Sequence, residues 1–170
     1  MIIFEKPKSL GQVSDEQLIN FDCGALEMNE WLHEKARHNE LKGGSRTFVV
    51  CTKQGALAGY IALSAGSITR DCLVSRDRYQ TPNAIPINLL GRLAVDRQFQ
   101  GQHLGRAMVL YALEMTIKMS AFTGVYALVV EPLNDKVVHF YKRLGFKYRP
   151  DQNVLYFPIR DKNGNLINMR

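Results

Sequence analysis

From Ala25 the apolar positions Met28, Trp31, Leu32 and Ala36 recur at steps of three and four. That is the spacing of one helical face, and it predicts an amphipathic helix over about 25–40. Lys42-Gly43-Gly44-Ser45 stops it. The pattern then changes to β-branched and apolar runs, Thr47–Thr52 (TFVVCT) and Leu57–Ser64 (LAGYIALS), joined by Lys53-Gln54-Gly55, which predicts a hairpin. Residues 65–83 are polar and mixed. Ile85–Val95 (IPINLLGRLAV) reads as a long buried strand, and the polar turn Asp96–Gly105 opens a helix with Leu104, Met108, Tyr111 and Met115 on one face to about Met119. Gly124–Val130 (GVYALVV) is the continuous apolar run of a central strand. Asp135–Leu144 predicts a helix with Gly145 at the left-handed position past its end, and Val154–Ile159 a last strand. At the ends, residues 2–5 read as a short strand and 161–170 as a polar, mobile tail. Antiparallel strands first, then strand–loop–helix–strand–helix–strand, make a mixed α/β sheet, with residues 1–160 as one domain.

Composition narrows the class. A chain of 170 residues is one domain on the usual size range and buries about seven tenths of its unfolded surface. Hydrophobic content of 46% and charged content of 22% exclude disordered, collagen-like and coiled-coil chains. No apolar run reaches bilayer length, and MIIFEKPKSL lacks a secretory h-region, so a cytoplasmic protein with no membrane partner is expected. Cys23, Cys51 and Cys72 are widely spaced with no C-x-x-C, which argues against disulfides and against a metal site. His33 and His38, with Glu34 between, do not make the H-E-x-x-H spacing.

Charge adds a partner class. The net charge is +6, yet residues 1–30 set six acids against Lys6 and Lys8, so the rest of the chain carries +10. Residues 136–149 hold Lys136, Lys142, Arg143, Lys147 and Arg149 with no acid, and Arg70, Arg76, Arg78, Arg92, Arg97 and Arg106 form a second basic group. Such a surface suits a polyanion, either nucleic acid or a phosphorylated cofactor. A merely solvated basic face is the alternative.

The segment Leu89–Arg106 (LLGRLAVDRQFQGQHLGR) carries the sharpest chemistry. A buried strand runs into a glycine-containing turn that opens a helix, where backbone N–H groups lack intrahelical acceptors and the helix dipole is positive. Gly101 and Gly105 allow a tight turn and close approach, and Arg97 and Arg106 add charge. This is a pyrophosphate site. It is neither a P-loop, since no G-K-[ST] follows, nor a dinucleotide fingerprint, since G-x-G-x-x-G is absent.

The turn Gln100-Gly101-Gln102-His103-Leu104-Gly105 resembles the acetyl-CoA pyrophosphate turn of the GNAT N-acetyltransferases. His103 stands where that family usually has its first glycine. It fits if its backbone is helical, and reads as a surface histidine at a helix start, with a phosphate contact as the alternative. A second block, Val130–Phe146 (VEPLNDKVVHFYKRLGF), matches the family's next motif, with Asn134 near the pantetheine and adenine arm and Tyr141 before Gly-Phe. A phenol is protonated at neutral pH, so Tyr141 is a candidate general acid for the CoA thiolate; a core tyrosine is the plain alternative. The resemblance implies the mostly antiparallel, twisted GNAT sheet flanked by helices, with backbone groups of Leu93, Ala94 and Val95 bonding the pantetheine, residues Gln100–Arg106 holding the pyrophosphate, and acetyl-CoA as co-substrate with no metal.

FDCG at 21–24, then Leu26, Asn29, Trp31 and Leu32, Arg46-Thr47, GYIALS, LGRLAVD and FYKRLGF together resemble the GNAT toxins of type II toxin–antitoxin modules over about residues 20–158. That resemblance implies acetylation of the α-amino group of an aminoacyl-tRNA, blockade of translation, a homodimer and a ribbon-helix-helix antitoxin. Two physical points agree with it. Ile87–Asp96 contains no Glu to act as general base, and an α-amine (pKa about 8, lower in an ester) needs less help than a lysine at about 10.4. A basic surface suits an RNA acceptor stem, with Arg46, Arg76, Arg78, Arg92, Lys142, Arg143 and Lys147 as candidate contacts. The rival readings are an N-acetyltransferase for a small amine or protein N-terminus, and a non-catalytic RNA-binding module. The amino acid on the tRNA is not legible in the sequence.

Overall fold

A computed structural model describes residues 2–168. Seven strands lie in the order β1-β2-β3-β4-β5-β7-β6: β1 is Lys8–Ser9, β2 Arg46–Cys51, β3 Leu57–Ile68, β4 Ile85–Val95, β5 Ala127–Val130, β6 Lys147–Arg149 and β7 Val154–Pro158. The pairs β1–β2, β2–β3, β5–β7 and β6–β7 are antiparallel and β4–β5 is parallel. This is the expected mixed α/β, mostly antiparallel sheet. The chain groups into two compact units, one made of the chain up to Ser64 with Gly91–Tyr111, the other of Ala65–Leu90 with the chain from Ala112 onward.

In the first unit three short helices precede β2: α1 (Asp15–Ile19), α2 (Leu26–Glu30) and α3 (Ala36–Leu41), the last two joined through a π-turn at Trp31–Lys35. The predicted 25–40 helix is therefore helical throughout but widened in its middle, a distortion that inserts one residue into the turn. Leu10, Leu18, Phe21, Trp31, Leu32 and Ala36 pack on Val49, Tyr60, Ala62 and Ala94. Tyr60 centres this core: its ring stacks on Trp31 at 5.8 Å, meets Phe21 edge-on at 5.5 Å, and its hydroxyl donates to Met28 O at 2.8 Å. Helix α4 (Leu104–Met119) enters this unit through Met108, whose Cε would lie 2.8 Å from a Cβ added to Gly59. Glycine there lets helix and strand close up.

In the second unit Ile85 and Ile87 of β4, Ala127 and Val129 of β5 and Val154 and Tyr156 of β7 bury one another with Cys72 and Leu73. A buried polar bond crosses this unit, from Asn88 Nδ2 to Thr116 Oγ1 at 2.9 Å. Helix α5 (Asp135–Arg143) starts on an Asn134 cap, whose side-chain oxygen accepts the Val137 N–H at 3.1 Å. It stops at Gly145, φ +94°, where Phe146 N–H returns to Tyr141 O at 3.1 Å, as the sequence predicts for a glycine past a helix end.

Several expectations change. Residues 2–5 make only a bridge, Phe4 to Thr52, before strand pairing resumes at Lys8–Ser9; Pro7 between them has no N–H to give a ladder. Helix α1, five residues long, is too short for apolar periodicity to reveal, although Ser14 and Gln17 form a reciprocal capping box. Strand β3 runs four residues past Ser64, β5 begins only at Ala127, and β6 was not anticipated among its charged residues. The tail expected to be mobile folds back as far as it is described: Asp161 Oδ1 accepts the Asn163 and Asn165 N–H groups at 2.8 and 2.9 Å, and Ile167 N–H reaches Ile159 O at 2.9 Å. Residues 169–170 lie outside the described residues.

Candidate active site

Strand β4 ends at Val95, and Asp96 opens the turn toward α4. Asp96 is 5% exposed. Its N–H donates to Ala58 O at 2.9 Å, while its two carboxylate oxygens accept the N–H groups of Gln98 and Asp22, each at 2.9 Å. From the other side the Arg97 N–H reaches Asp22 O at 2.9 Å, and its guanidinium stands 3.3 Å from the Asp22 carboxylate. Gln100 donates to Cys23 O at 3.0 Å and Val95 O at 2.9 Å. The FDCG run is thus a clamp that fixes the turn. Gly24 suits this clamp because its left-handed backbone, φ +89°, would strain a side chain, and a Cβ there would also displace the Arg97 guanidinium, 2.7 Å away at Nε. Hydrogen bonds from the Asn29 amide and then the Gly24 N–H hold the Asp22 carboxyl below its ordinary range, so the clamp keeps its charge at neutral pH.

Beyond the clamp, Gly101 and His103 both take left-handed backbone, φ +76° and +60°. The histidine is therefore not in helical backbone, as its fit had required. It is an exposed residue in a conformation that costs a side-chain-bearing residue about 1–2 kcal/mol relative to the right-handed region. Nothing stands within 4 Å of a Cβ at Gly101, so space beside the backbone is open there. Ala107 is the first residue of α4 to bond back, to His103 O at 3.1 Å, so Leu104, Gly105 and Arg106 are the amides at the helix start that lack an intrahelical acceptor. Leu104 is buried at 5% exposure and pins the turn to the core. Arg106 is exposed and has no ion pair among the described residues. Gln102 reaches back to Gln98 O at 3.4 Å.

The parallel ladder between β4 and β5 joins Ile87–Leu89 to Ala127–Val129. Because the Asp96 N–H points to β3, strand alternation turns the Ala94 backbone groups to β3 and those of Leu93 and Val95 to the opposite edge. The Gln100 side chain reaching Val95 O agrees with that direction.

In the second unit Tyr141 lies on α5 at 3% exposure, held edge-on between Phe140 and Phe146, each ring centre 5.0 Å away. Burial pushes its phenol pKa well above the usual 10. Its hydroxyl has no hydrogen-bond partner among the described residues. Asn134 commits its side-chain oxygen to the α5 cap, leaving its amide nitrogen without a described partner.

The basic candidates divide. Lys147 pairs with Asp77 at 2.5 Å and Arg78 donates to Leu73 O at 3.0 Å, so both hold loops in place. Arg92 lies 5.0 Å over the Trp31 ring and 3.6 Å from Glu27. Arg46 pairs with Glu40 at 3.0 Å. Arg76 is exposed and only 3.8 Å from the nearest Asp77 oxygen, and Lys142 and Arg143 line one hollow with Lys136 and His139 on the outer face of α5. Among the described residues no group of three or more His, Cys, Asp or Glu side chains is placed to hold a metal ion, and no helix is long and apolar enough to cross a membrane.

The sequence from residue 14 to residue 146 matches the family model of the acetyltransferase (GNAT) family. The chain belongs to the GNAT acetyltransferase family. Within that family it is 31% identical over 147 residues to the tRNA-acetylating toxin of Mycobacterium tuberculosis (strain ATCC 25618 / H37Rv), covering 86% of this chain and 87% of the relative. The fold of AtaT complexed with acetyl-methionyl-tRNAfMet superposes with a TM-score of 0.80 at 32% identity, covering 93% of this chain and 95% of that one. A tyrosine-to-phenylalanine mutant of the AtaT toxin, bound to the C-terminus of the antitoxin AtaR and acetyl-CoA, gives a TM-score of 0.73 at 29% identity, covering 90% and 92%. The acetyl-CoA expected from the GNAT motifs thus has a counterpart in a solved homologue.

Proposed function

We propose that this acetyltransferase moves the acetyl group of acetyl-CoA onto the α-amino group of an aminoacyl-tRNA, and by doing so blocks translation as the toxin of a toxin–antitoxin pair. The observation that carries this reading is the similarity, at about a third identity over nearly the whole chain, to a tRNA-acetylating toxin and to AtaT held with acetylated methionyl-tRNA.

The residues fit acetyl-CoA. A pyrophosphate needs several N–H donors, nearby positive charge and room to approach the backbone. The amides of Leu104, Gly105 and Arg106, the Arg106 guanidinium and the open side of Gly101 supply them. Gln100 serves this site indirectly, through the clamp. His103 and Gln102 shape the turn. Leu93 and Val95 offer edge N–H and C=O groups for the pantetheine amides, while Ala94 faces β3. The Asn134 amide nitrogen is the second motif's contribution.

Acetyl-CoA supplies a thioester acyl carbon. The unprotonated α-amine attacks that carbon and the C–S bond breaks as the C–N bond forms. Tyr141 gives its proton to the departing sulfur, the nitrogen sheds its extra proton to solvent, from which the phenol is reprotonated, and the burial and unbonded hydroxyl of Tyr141 support its role. No base is required, because an α-amine in an aminoacyl ester is largely unprotonated near neutral pH. Arg76, Lys142 and Arg143 are the cations most available to RNA phosphates. We further propose a homodimer in the cytoplasm, neutralised by a ribbon-helix-helix antitoxin; the antitoxin-bound AtaT homologue supports a protein inhibitor of this kind.

The deciding experiment incubates the protein with radiolabelled acetyl-CoA and total tRNA, once aminoacylated and once deacylated. Label confined to the charged pool is expected, and hydrolysis of that pool names the amino acid. Label in neither pool, with acetyl-CoA still bound, moves the activity to a small amine or protein N-terminus.

A further inference from the structure

The loop from Thr69 to Ala84, in the second unit, sorts its side chains by direction. Beneath it, Tyr156 accepts the Val74 N–H at 2.9 Å and donates to Asp77 at 2.7 Å, and Lys147 holds the same Asp77 oxygen at 2.5 Å. Leu73 O receives both Arg78 Nε, at 3.0 Å, and the Arg149 guanidinium. Thr81 closes the loop by donating to Arg78 O at 2.9 Å. Every one of these groups serves to make the segment rigid.

The outward residues have no such work. Tyr79 is 80% exposed and forms no described contact. It is followed by Gln80 at φ +56°, a backbone conformation that a non-glycine residue adopts at a cost and that turns the chain sharply. Arg70 is exposed with no described partner, and Arg76 makes only the 3.8 Å approach to an aspartate already bonded twice. Arg78 contacts Asp71 through its carbonyl at 3.4 Å and its carboxylate at 3.8 Å, which brings the chain next to Arg70 and the chain next to Tyr79 together. A solvated aromatic ring sharing one loop with two unspent guanidinium groups has the composition of a platform for unpaired nucleotides: the ring stacks on a base face and the cations take adjoining phosphates. A lone exposed tyrosine is unremarkable by itself. Here the bonded loop that carries it and the two unspent cations on that same loop set it apart.

We propose that Tyr79 stacks on an unpaired base of the substrate RNA, with Arg70 and Arg76 on neighbouring phosphates, and that this loop positions the tRNA. The inference rests on the aminoacyl-tRNA reading above but is tested apart from it.

Wild type, Tyr79→Ala, Tyr79→Phe and the double variant Arg70→Ala/Arg76→Ala are compared for binding of deacylated total tRNA and of a blunt, fully paired RNA duplex. Acetyl-CoA binding and thermal unfolding serve as controls. Tyr79→Ala should weaken tRNA binding roughly tenfold or more, the usual loss for a stacking aromatic. It should leave duplex binding, acetyl-CoA binding and unfolding unchanged, and Tyr79→Phe should retain wild-type affinity. The arginine pair should weaken both RNAs and lower the salt dependence by roughly one to two charges. Equal tRNA affinity for wild type and Tyr79→Ala overturns the assignment, and so does an equal loss on the paired duplex. Failure of the wild type to acetylate charged tRNA overturns the substrate reading instead, and the binding arm still decides Tyr79.

Discussion

Burial and isolation together set the chemistry available to Tyr141. At 3% exposure, with an apolar surround and no bond to its hydroxyl, the phenolate form is penalised and the proton is kept to well above pH 10. Tyr141→Phe removes the proposed donor while keeping the ring contacts with Phe140 and Phe146. We expect turnover, followed as free CoA thiol, to fall by about 10²-fold or more, with acetyl-CoA affinity and thermal stability unchanged. The pH profile follows from the same shift. A raised pKa keeps the acid form present across the working range, so turnover should rise with pH as the substrate amine deprotonates and show no fall from this donor below about pH 10. Near wild-type turnover in the variant, or an alkaline fall below pH 9 that the variant abolishes, contradicts the assignment. The residue itself was legible from its place before Gly-Phe. Its burial and the absence of a partner were not, because both depend on which rings close around it.

At the scale of elements, the turn between β4 and α4 owes its shape to a segment some seventy residues earlier. Asp96 holds both strands of the clamp: it accepts one N–H from its own turn and one from Asp22. Asp96→Ala removes the charged acceptor of two part-buried N–H groups, those of Asp22 and Gln98, each bond worth about 1 kcal/mol or somewhat more. We expect a clear drop in the unfolding midpoint, with weaker acetyl-CoA binding measured by calorimetry. Asp96→Asn retains one carbonyl acceptor and should lose less on both. Equal acetyl-CoA affinity in the destabilised alanine variant would separate the clamp from the binding turn. In the sequence the turn's glycines and arginines are visible as a phosphate site. The partners of the Gln100 side chain, the carbonyls of Cys23 and Val95, are backbone groups that no side-chain pattern marks. The π-turn at Trp31–Lys35 was hidden for a similar reason, since a widened turn preserves the apolar spacing on either side of it.

For the molecule as a whole, the net charge of +6 and the uneven pairing of its cations bear on the substrate. If tRNA is bound chiefly through phosphates, the KM for charged tRNA should climb steeply between 50 and 200 mM salt, by orders of magnitude if several contacts are made. The KM for acetyl-CoA, which meets fewer cations, should climb much less. Equal salt responses would mean that the basic surface plays no part in substrate binding. Of the seven cations that the sequence offered as RNA contacts, Lys147 and Arg78 are spent on internal bonds and Arg92 on Trp31. Charge composition says how many cations there are; only packing says which are free.

The sequence by itself determined the order and type of the long elements, the glycine turn that opens α4, the cap and stop of α5, and the family. These features are local, or, for the family, a series of local motifs in order along the chain: they rest on periodicity, turn chemistry and residue spacing within each short stretch. The tertiary structure decided the rest. It turned FDCG into a clamp, turned the backbone groups of Leu93 and Val95 away from β3, placed His103 in left-handed backbone, and packed Tyr141 among aromatic rings. Each of those outcomes depends on contacts between segments distant in the chain, whose geometry is set by how the core fills space and not by the order of residues in any one stretch.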